Sequence, residues 1–232
     1  MNLLIVESKN DKIFIEAVLR HINVSNVQID NAPICGIDDY ECLDGLSKPK
    51  LSEKLRDIQT DIRKKSIERV GIIIDSDQVG IDGRIKLIND CLLSIYGNFE
   101  PINKVAQFVE IEIDANTKTL FSYFVMNLNG FGELETVLKA IKTQPSPYAD
   151  CLDSWRKCLD DQQKTIKDKD FDKFWVNNYV RFDTCFKDEQ TQAGKKCSLS
   201  NFDYVMQNKA TIFDLGSNNL EELRQFLQLF QK

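Results

Sequence analysis

Histidine is nearly missing from this chain: its 232 residues contain one, His21. Catalysis through a Ser-His-Asp or Cys-His arrangement, and metal sites built from several imidazoles, therefore have almost no material. Cysteine occurs at 35, 42, 91, 151, 158, 185 and 197 but never as CxxC. The common zinc modules are excluded, and an odd count in so long a chain argues against a secreted disulfide framework. The expectation is reduced thiols and a cytoplasmic location. Cys151 and Cys158 are expected to share a helix face and to pack as small hydrophobes. Long apolar runs are missing too, and nothing approaches the roughly 20 residues of a membrane span. The opening MNLLIVESKND has no basic segment and turns acidic, so it reads as a strand rather than a signal peptide. There is no basic excess: 36 acidic against 30 basic side chains leave a net charge of −6. That disfavours a broad nucleic-acid-coating surface but allows a local site in which metal ions offset acids.

What the chain does have is alternation of strand and helix patterns. LLIVE, residues 3–7, is an apolar run that ends on an acid and reads as a buried strand. Ser8 and Asn10 can cap the helix that follows over 12–22, where Ile13, Ala17 and Ile22 share a face. His21 lies on that helix, with a surface or core-edge role. VQIDNAP is a second strand stopped by Pro33, and residues 35–47 are loop-like. Leu51, Leu55, Ile58 and Ile62 form the stripe of an amphipathic helix. VGIIID, residues 70–75, has no polar alternation, as befits a strand covered on both faces. A helix over 85–97 stops at Gly97. The order β-α-β-α-β-α predicts a mostly parallel sheet flanked by helices. Two further strands are expected around DANT, then a glycine-rich entry, GFGE, into a helix. From about residue 145 the pattern is helical and polar, with helices over DCLDSWRKCLDDQQKTIKD, DFDKFWVNNYVRFD and LEELRQFLQLF. The expected organisation is an α/β core over 1–145 and a mainly helical extension over 146–232 packed on it.

The candidate site lies at the strand ends, where parallel α/β sheets bind ligands. Glu7 ends the first strand, and Asp75 and Asp77 end the third. The right-handed crossover rule can bring those ends together. Clustered carboxylates repel unless solvent separates them or a cation joins them. Oxygen ligands without histidine or thiolate suit Mg²⁺ or Mn²⁺. Asp11, four residues after Glu7, can either cap its helix or reach back as a ligand. Glu133 and Glu135 sit at a helix N-terminus, where the helix dipole alone would favour them.

ESKND followed by GIIIDSD resembles the Toprim domain of type IA and II topoisomerases, bacterial primases and overcoming-lysogenization-defect (OLD) nucleases. Its signature is a glutamate after the first strand and DxD after the third. Glu7, Asp75 and Asp77 match it over about residues 1–130, with Ser8 in place of the usual glycine. GFGELETVL, FDKFWVNNYV and IFDLGSNNLEELRQFL extend the likeness, in order and spacing, to an uncharacterised bacterial family of stand-alone Toprim-like proteins related to the OLD nuclease domain.

The resemblance implies a Toprim-like fold and a Mg²⁺- or Mn²⁺-dependent nuclease acting on nucleic acid, DNA ahead of RNA. Asp75 and Asp77 would bind metal. Glu7 would bind metal or act as general acid/base, and Asp11 and Glu135, or Glu133 in its place, would serve a second metal. Lys9 and Lys195, the latter beside Lys196, are candidate phosphate contacts. The chain departs from the larger relatives. It offers no separate nucleophilic-tyrosine domain, no zinc module and no GxxxxGK[ST] loop, so an ATPase would have to be a separate partner. The alternative is a non-catalytic Toprim-like module that binds nucleic acid or a protein. A phospho-receiver or dehalogenase-like fold would distribute its aspartates differently, and a dinucleotide fold would need GxGxxG after the first strand.

Overall fold

The computed structural model describes residues 1–36, 46–97 and 99–231. Most of the expected loop at 35–47, Cys42 included, lies outside the described residues. Five strands form one sheet in the order β2-β1-β3-β5-β4. They are β1 (Asn2–Val6), β2 (Val27–Ile29), β3 (Arg69–Asp75), β4 (Val109–Asp114) and β5 (Thr117–Met126). β2, β1, β3 and β5 run parallel, and β4 is antiparallel to β5. β3 has a strand on each side and helices on both faces, which is why VGIIID carries no polar alternation. β4, at the edge, alternates buried and exposed side chains instead.

Helices cover the two faces with different partners. α2 (Lys48–Lys65) and α3 (Gly80–Tyr96) pack on the face that receives Ile72 and Ile74 of β3. The stripe Leu51, Leu55, Ile58 and Ile62 is fully buried there, as its spacing predicts. The other face receives Ile73 together with α1 (Lys9–His21), α4 (Leu134–Ala140) and residues of the C-terminal helices. One apolar cluster on that face runs from Leu4 to Phe230, so residues of the extension share a core with the first strand. Among the described residues, no helix is long and apolar enough to cross a membrane.

The C-terminal region departs from expectation in detail. α5 (Pro147–Asp161) and α6 (Asp168–Asn178) are present, but residues 162–167 between them are not helical, and Gln163 takes a left-handed φ of +58°. A π-helical turn, Tyr179–Asp183, continues α6. The short helices α7 (Lys187–Gln190), α8 (Ala193–Lys196) and α9 (Phe202–Asn208) had no counterpart in the sequence reading; α10 (Glu221–Gln228) did. The thiol expectations need correction. Cys185 and Cys197 are joined in a disulfide, because α7 and α8 fold back and bring their Cα atoms to 5.8 Å. Cys151 and Cys158 do share α5, but both are exposed, so packing does not explain them. His21 is exposed at the end of α1, as expected.

Closure of the sheet depends on a missing side chain. A Cβ on Gly71 in the middle of β3 would lie 2.4 Å from Leu4 Cδ2 and 2.6 Å from Phe230 Cζ. The absence of that atom lets the Phe230 ring sit on the strand, where it also meets Phe226 and Phe108. Asn2 and Arg69 hold the same segment by donating to the carbonyls of Phe230 and Leu229, at 2.7 and 2.6 Å. Gly71→Ala is therefore expected to cost about 1–3 kcal/mol through overpacking. Urea unfolding checks this, and an unchanged midpoint would show that the rings move aside freely.

Candidate functional site

Three neighbouring parallel strands deliver acids to one sheet edge. Glu7 follows β1, Asp75 closes β3, and β5 leads through a turn to Glu133 and Glu135 on α4. Asp11 reaches the same place from the first turn of α1. Each of these five residues is less than a tenth exposed. With Asp77 they line a cavity of about 400 Å³.

Backbone bonds fix the arrangement. The Asp75 N–H donates to Glu7 Oε2 at 3.0 Å, tying the first strand end to the third. The Asp77 N–H donates to the Gly132 carbonyl at 3.0 Å, and the Gly132 N–H returns to the Asp77 carbonyl at 3.4 Å. The Ser76 hydroxyl donates to the same Gly132 carbonyl at 3.0 Å. The DSD and GFGE segments are thus zipped together. Gly132 is required for this: its φ is +105°, and a Cβ would lie 2.8 Å from Thr136. Asp77 itself takes a left-handed φ of +49°, a conformation that aspartate tolerates better than most residues. Arg84 of α3 pairs with the Asp77 carboxylate and donates to the Leu46 carbonyl at 2.9 Å.

Asp11 resolves one open choice. Its carboxylate accepts from the Ser8 N–H at 2.8 Å, and Ser8 Oγ accepts from the Asp11 N–H at 3.3 Å. It caps its helix while lining the cavity. Glu133 occupies the N-cap of α4, with Glu135 in its first turn. Lys9 is exposed at the cavity wall, whereas Lys195 is exposed on α8 and does not line the cavity. Two cations that the sequence reading missed do line it. Lys169 Nζ lies 3.5 Å from Glu133 and 3.8 Å from Asp77, and Lys173 Nζ lies 3.2 Å from Glu133. Their spacing of four residues put both on one face of α6. No local signal said that this face meets the acids.

The electrostatics are those of crowded anions. Burial first, and then the Asp11 charge, pushes the Glu7 carboxyl up to about 8. Burial raises Asp11 to about 6 against the opposing effect of its Ser8 hydrogen bonds. Asp75 is held well above the usual carboxylate range by burial and then by Asp11, Glu7, Glu133 and Glu135. Burial also raises Glu133 and Glu135, with the nearby lysines opposing it.

The residues fit a hard divalent cation. The donors are all carboxylate oxygens, and the buried Asp75 Oδ1 has no hydrogen-bond partner among the described residues. Among the described residues, no three of these carboxylates bring oxygens within 4.8 Å of one another. That spread excludes a closed cage as it stands. It suits an ion such as Mg²⁺, which keeps several waters and takes one or two carboxylates together with substrate phosphate oxygens. The tighter grouping of Cys185, Glu189 and Cys197 is not comparable, because its two sulfurs are bonded to each other.

Residues 1–231 match the family described as Protein of unknown function (DUF3226). The chain belongs to that family. No curated protein and no solved structure matches it.

Raised carboxyl values fix the sign of a pH dependence. The folded protein holds protons on Glu7 and Asp11 more tightly than the unfolded chain does, whose ordinary values are 4.5 and 3.8. The stability this contributes is fully present below those ordinary values and is lost as pH rises through about 6 and then about 8. In metal-free buffer the melting temperature is therefore expected to fall across that window. Glu7→Gln should flatten the upper part, and millimolar Mn²⁺ at the alkaline end should restore the loss. A wild-type melting temperature that rises through the window would contradict this account.

Proposed function

We propose that the carboxylate cavity is a Mg²⁺- or Mn²⁺-dependent site for phosphodiester cleavage in nucleic acid, DNA before RNA, in a Toprim-like protein. The observation that carries the reading is the convergence of buried acids from β1, β3 and β5, with the Asp75 Oδ1 unpartnered among them. The resemblance of ESKND and DSD to the Toprim signature points the same way. We place the activity in the cytoplasm with its substrate. A separate ATPase partner belongs to the same resemblance.

Asp75 and Asp77 would hold the ion, with Glu7, Asp11 and Glu135 lining the same cavity. When bound, a divalent cation polarises phosphoryl oxygens and activates water. The chain's own residues supply the rest. Glu7, anchored by the Asp75 N–H, has its carboxyl raised by burial and then by the Asp11 charge in the metal-free site. It would bind metal or serve as general acid/base at the phosphodiester. Lys169 and Lys173 neutralise Glu133 and Asp77 and supply positive charge where an anionic substrate must approach. Lys9, exposed at the cavity wall, is a further candidate phosphate contact.

One observation favours a second reading, a non-catalytic module. Arg84, Lys169 and Lys173 already give Asp77 and Glu133 counter-ions, so the fold can exist with internal cations in place of metal. Calorimetry with Mn²⁺ and a cleavage assay on single- and double-stranded DNA separate the two. Metal binding and cleavage are expected in the wild type, and Asp75→Asn should lower cleavage by roughly a hundredfold or more. Lys195→Ala should change it less than about twofold, because a solvated charge away from the site is weakly coupled. Absence of both metal binding and cleavage in the wild type would leave the module reading.

A further inference from the structure

A second cavity, of about 430 Å³, adjoins the first and shares Asp77, Glu133 and Lys169 with it. Its chemistry is different. Arg156, Lys167 and Lys169 bring three cations to its wall beside the three acids Asp77, Glu133 and Asp168, and Val79 and Ile166 bring apolar surface. Val79 is 60% exposed, unusual for a valine beside a buried ionic cluster. The Phe131 ring stands against the next residue, Gly80, 3.1 Å from where a Cβ would be, and is itself 59% exposed. Branched aliphatic side chains left open next to cationic groups, with the Phe131 ring just outside the lining, form a surface for a partly apolar anion. A nucleotide is such an anion: its base packs against the apolar side chains, and its phosphate meets the cations.

Lys169 forms part of both cavities. Its ammonium contacts Glu133 at 3.5 Å and Asp77 at 3.8 Å, longer than hydrogen bonds. Arg156, by contrast, is held by Asp168 at 2.5 Å and lies over the Phe171 ring. Lys169 is therefore the cation that can change partners at low cost. A divalent ion among the acids would take over the neutralisation of Asp77 and Glu133. The ammonium would then be available to a phosphate on its other side.

We propose that this second cavity binds the nucleotide adjoining the phosphodiester held by the acids, and that Lys169 couples its occupancy to that of the carboxylate cavity. Val79 and Ile166 take the base, and Lys167 and Lys169 take the phosphate. The proposal rests on reading the carboxylate cavity as a phosphodiester site. It specifies a single-stranded or frayed segment, since a base inside a duplex is stacked on both faces and offers none to these side chains.

Calorimetry on the full chain tests it, with thymidine 5′-monophosphate, inorganic phosphate and thymidine as separate probes, with and without Mn²⁺. The nucleotide is expected to bind at least about tenfold more tightly than either fragment. Val79→Glu and Lys167→Glu should each weaken it by about tenfold in the absence of metal. Mn²⁺ should tighten wild-type binding several-fold and have no such effect in Lys169→Met. Val79 is exposed, so its variant should melt as the wild type does.

Phosphate binding as well as the nucleotide, or equal affinity in the Val79 and Lys167 variants, overturns the assignment. So does no nucleotide binding at millimolar concentration. A full Mn²⁺ effect in Lys169→Met overturns the coupling, because direct coordination of the phosphate would then explain it. The two readings fail separately. Cleavage with unaltered nucleotide affinity in the variants sinks this inference alone. The expected binding pattern without cleavage sinks the nuclease reading and leaves a nucleotide site.

Discussion

Mutual repulsion among buried carboxylates is the constraint to which the rest of the molecule answers. Five acids, each nearly sealed from water, meet at the carboxyl edge of β1, β3 and β5. Left alone, such a cluster would push the strand ends apart. The fold resists with rigid backbone anchors: the Asp75–Glu7 bond, the Asp77–Gly132 pair and the Ser8–Asp11 cap. It offsets charge with Arg84, Lys169 and Lys173. Proton uptake by Glu7 and Asp11 provides further relief. An arrangement that needs so many compensations costs the fold stability rather than supplying it.

Much of this was legible in the sequence. GIIID announced a strand buried on both faces, and LLIVE followed by an acid announced its neighbour. The β-α-β order allowed those ends to be neighbours, and β1 does lie beside β3. Asp75, Asp77 and Glu7 could be read because each follows an apolar strand run, and because together they resemble the Toprim signature. Asp11, Glu133 and Glu135 could be read only as alternatives, since an acid at a helix start is explained equally well by capping. The structure shows that capping and cavity-lining are compatible: Asp11 does both.

What could not be read was long-range. Lys169 and Lys173 reach the acids because α6 packs beside α4, and no pattern within α6 encodes that. Lys195 looked like a basic spot because it sits in AGKKCS, but α8 carries it away from the cavity. The Cys185–Cys197 bond was hidden for a similar reason. Helices of four residues carry too little periodicity to be recognised, so the reversal that brings the sulfurs together left no trace in hydrophobic spacing. Gly71 is a converse case. Its role is visible only when a ring from the other end of the chain is seen resting on it.

That ring has a consequence for how the protein is made. Phe226 and Phe230 cover one face of the central strand, more than 150 positions after Gly71 in the chain. A ribosome synthesises the sheet long before it synthesises its cover. Throughout that interval the patch around Gly71 and Leu4 that these rings will cover stays open, an apolar surface of the kind that attracts chaperones or other nascent chains. The last helix thus completes the burial of a surface that the first strand begins.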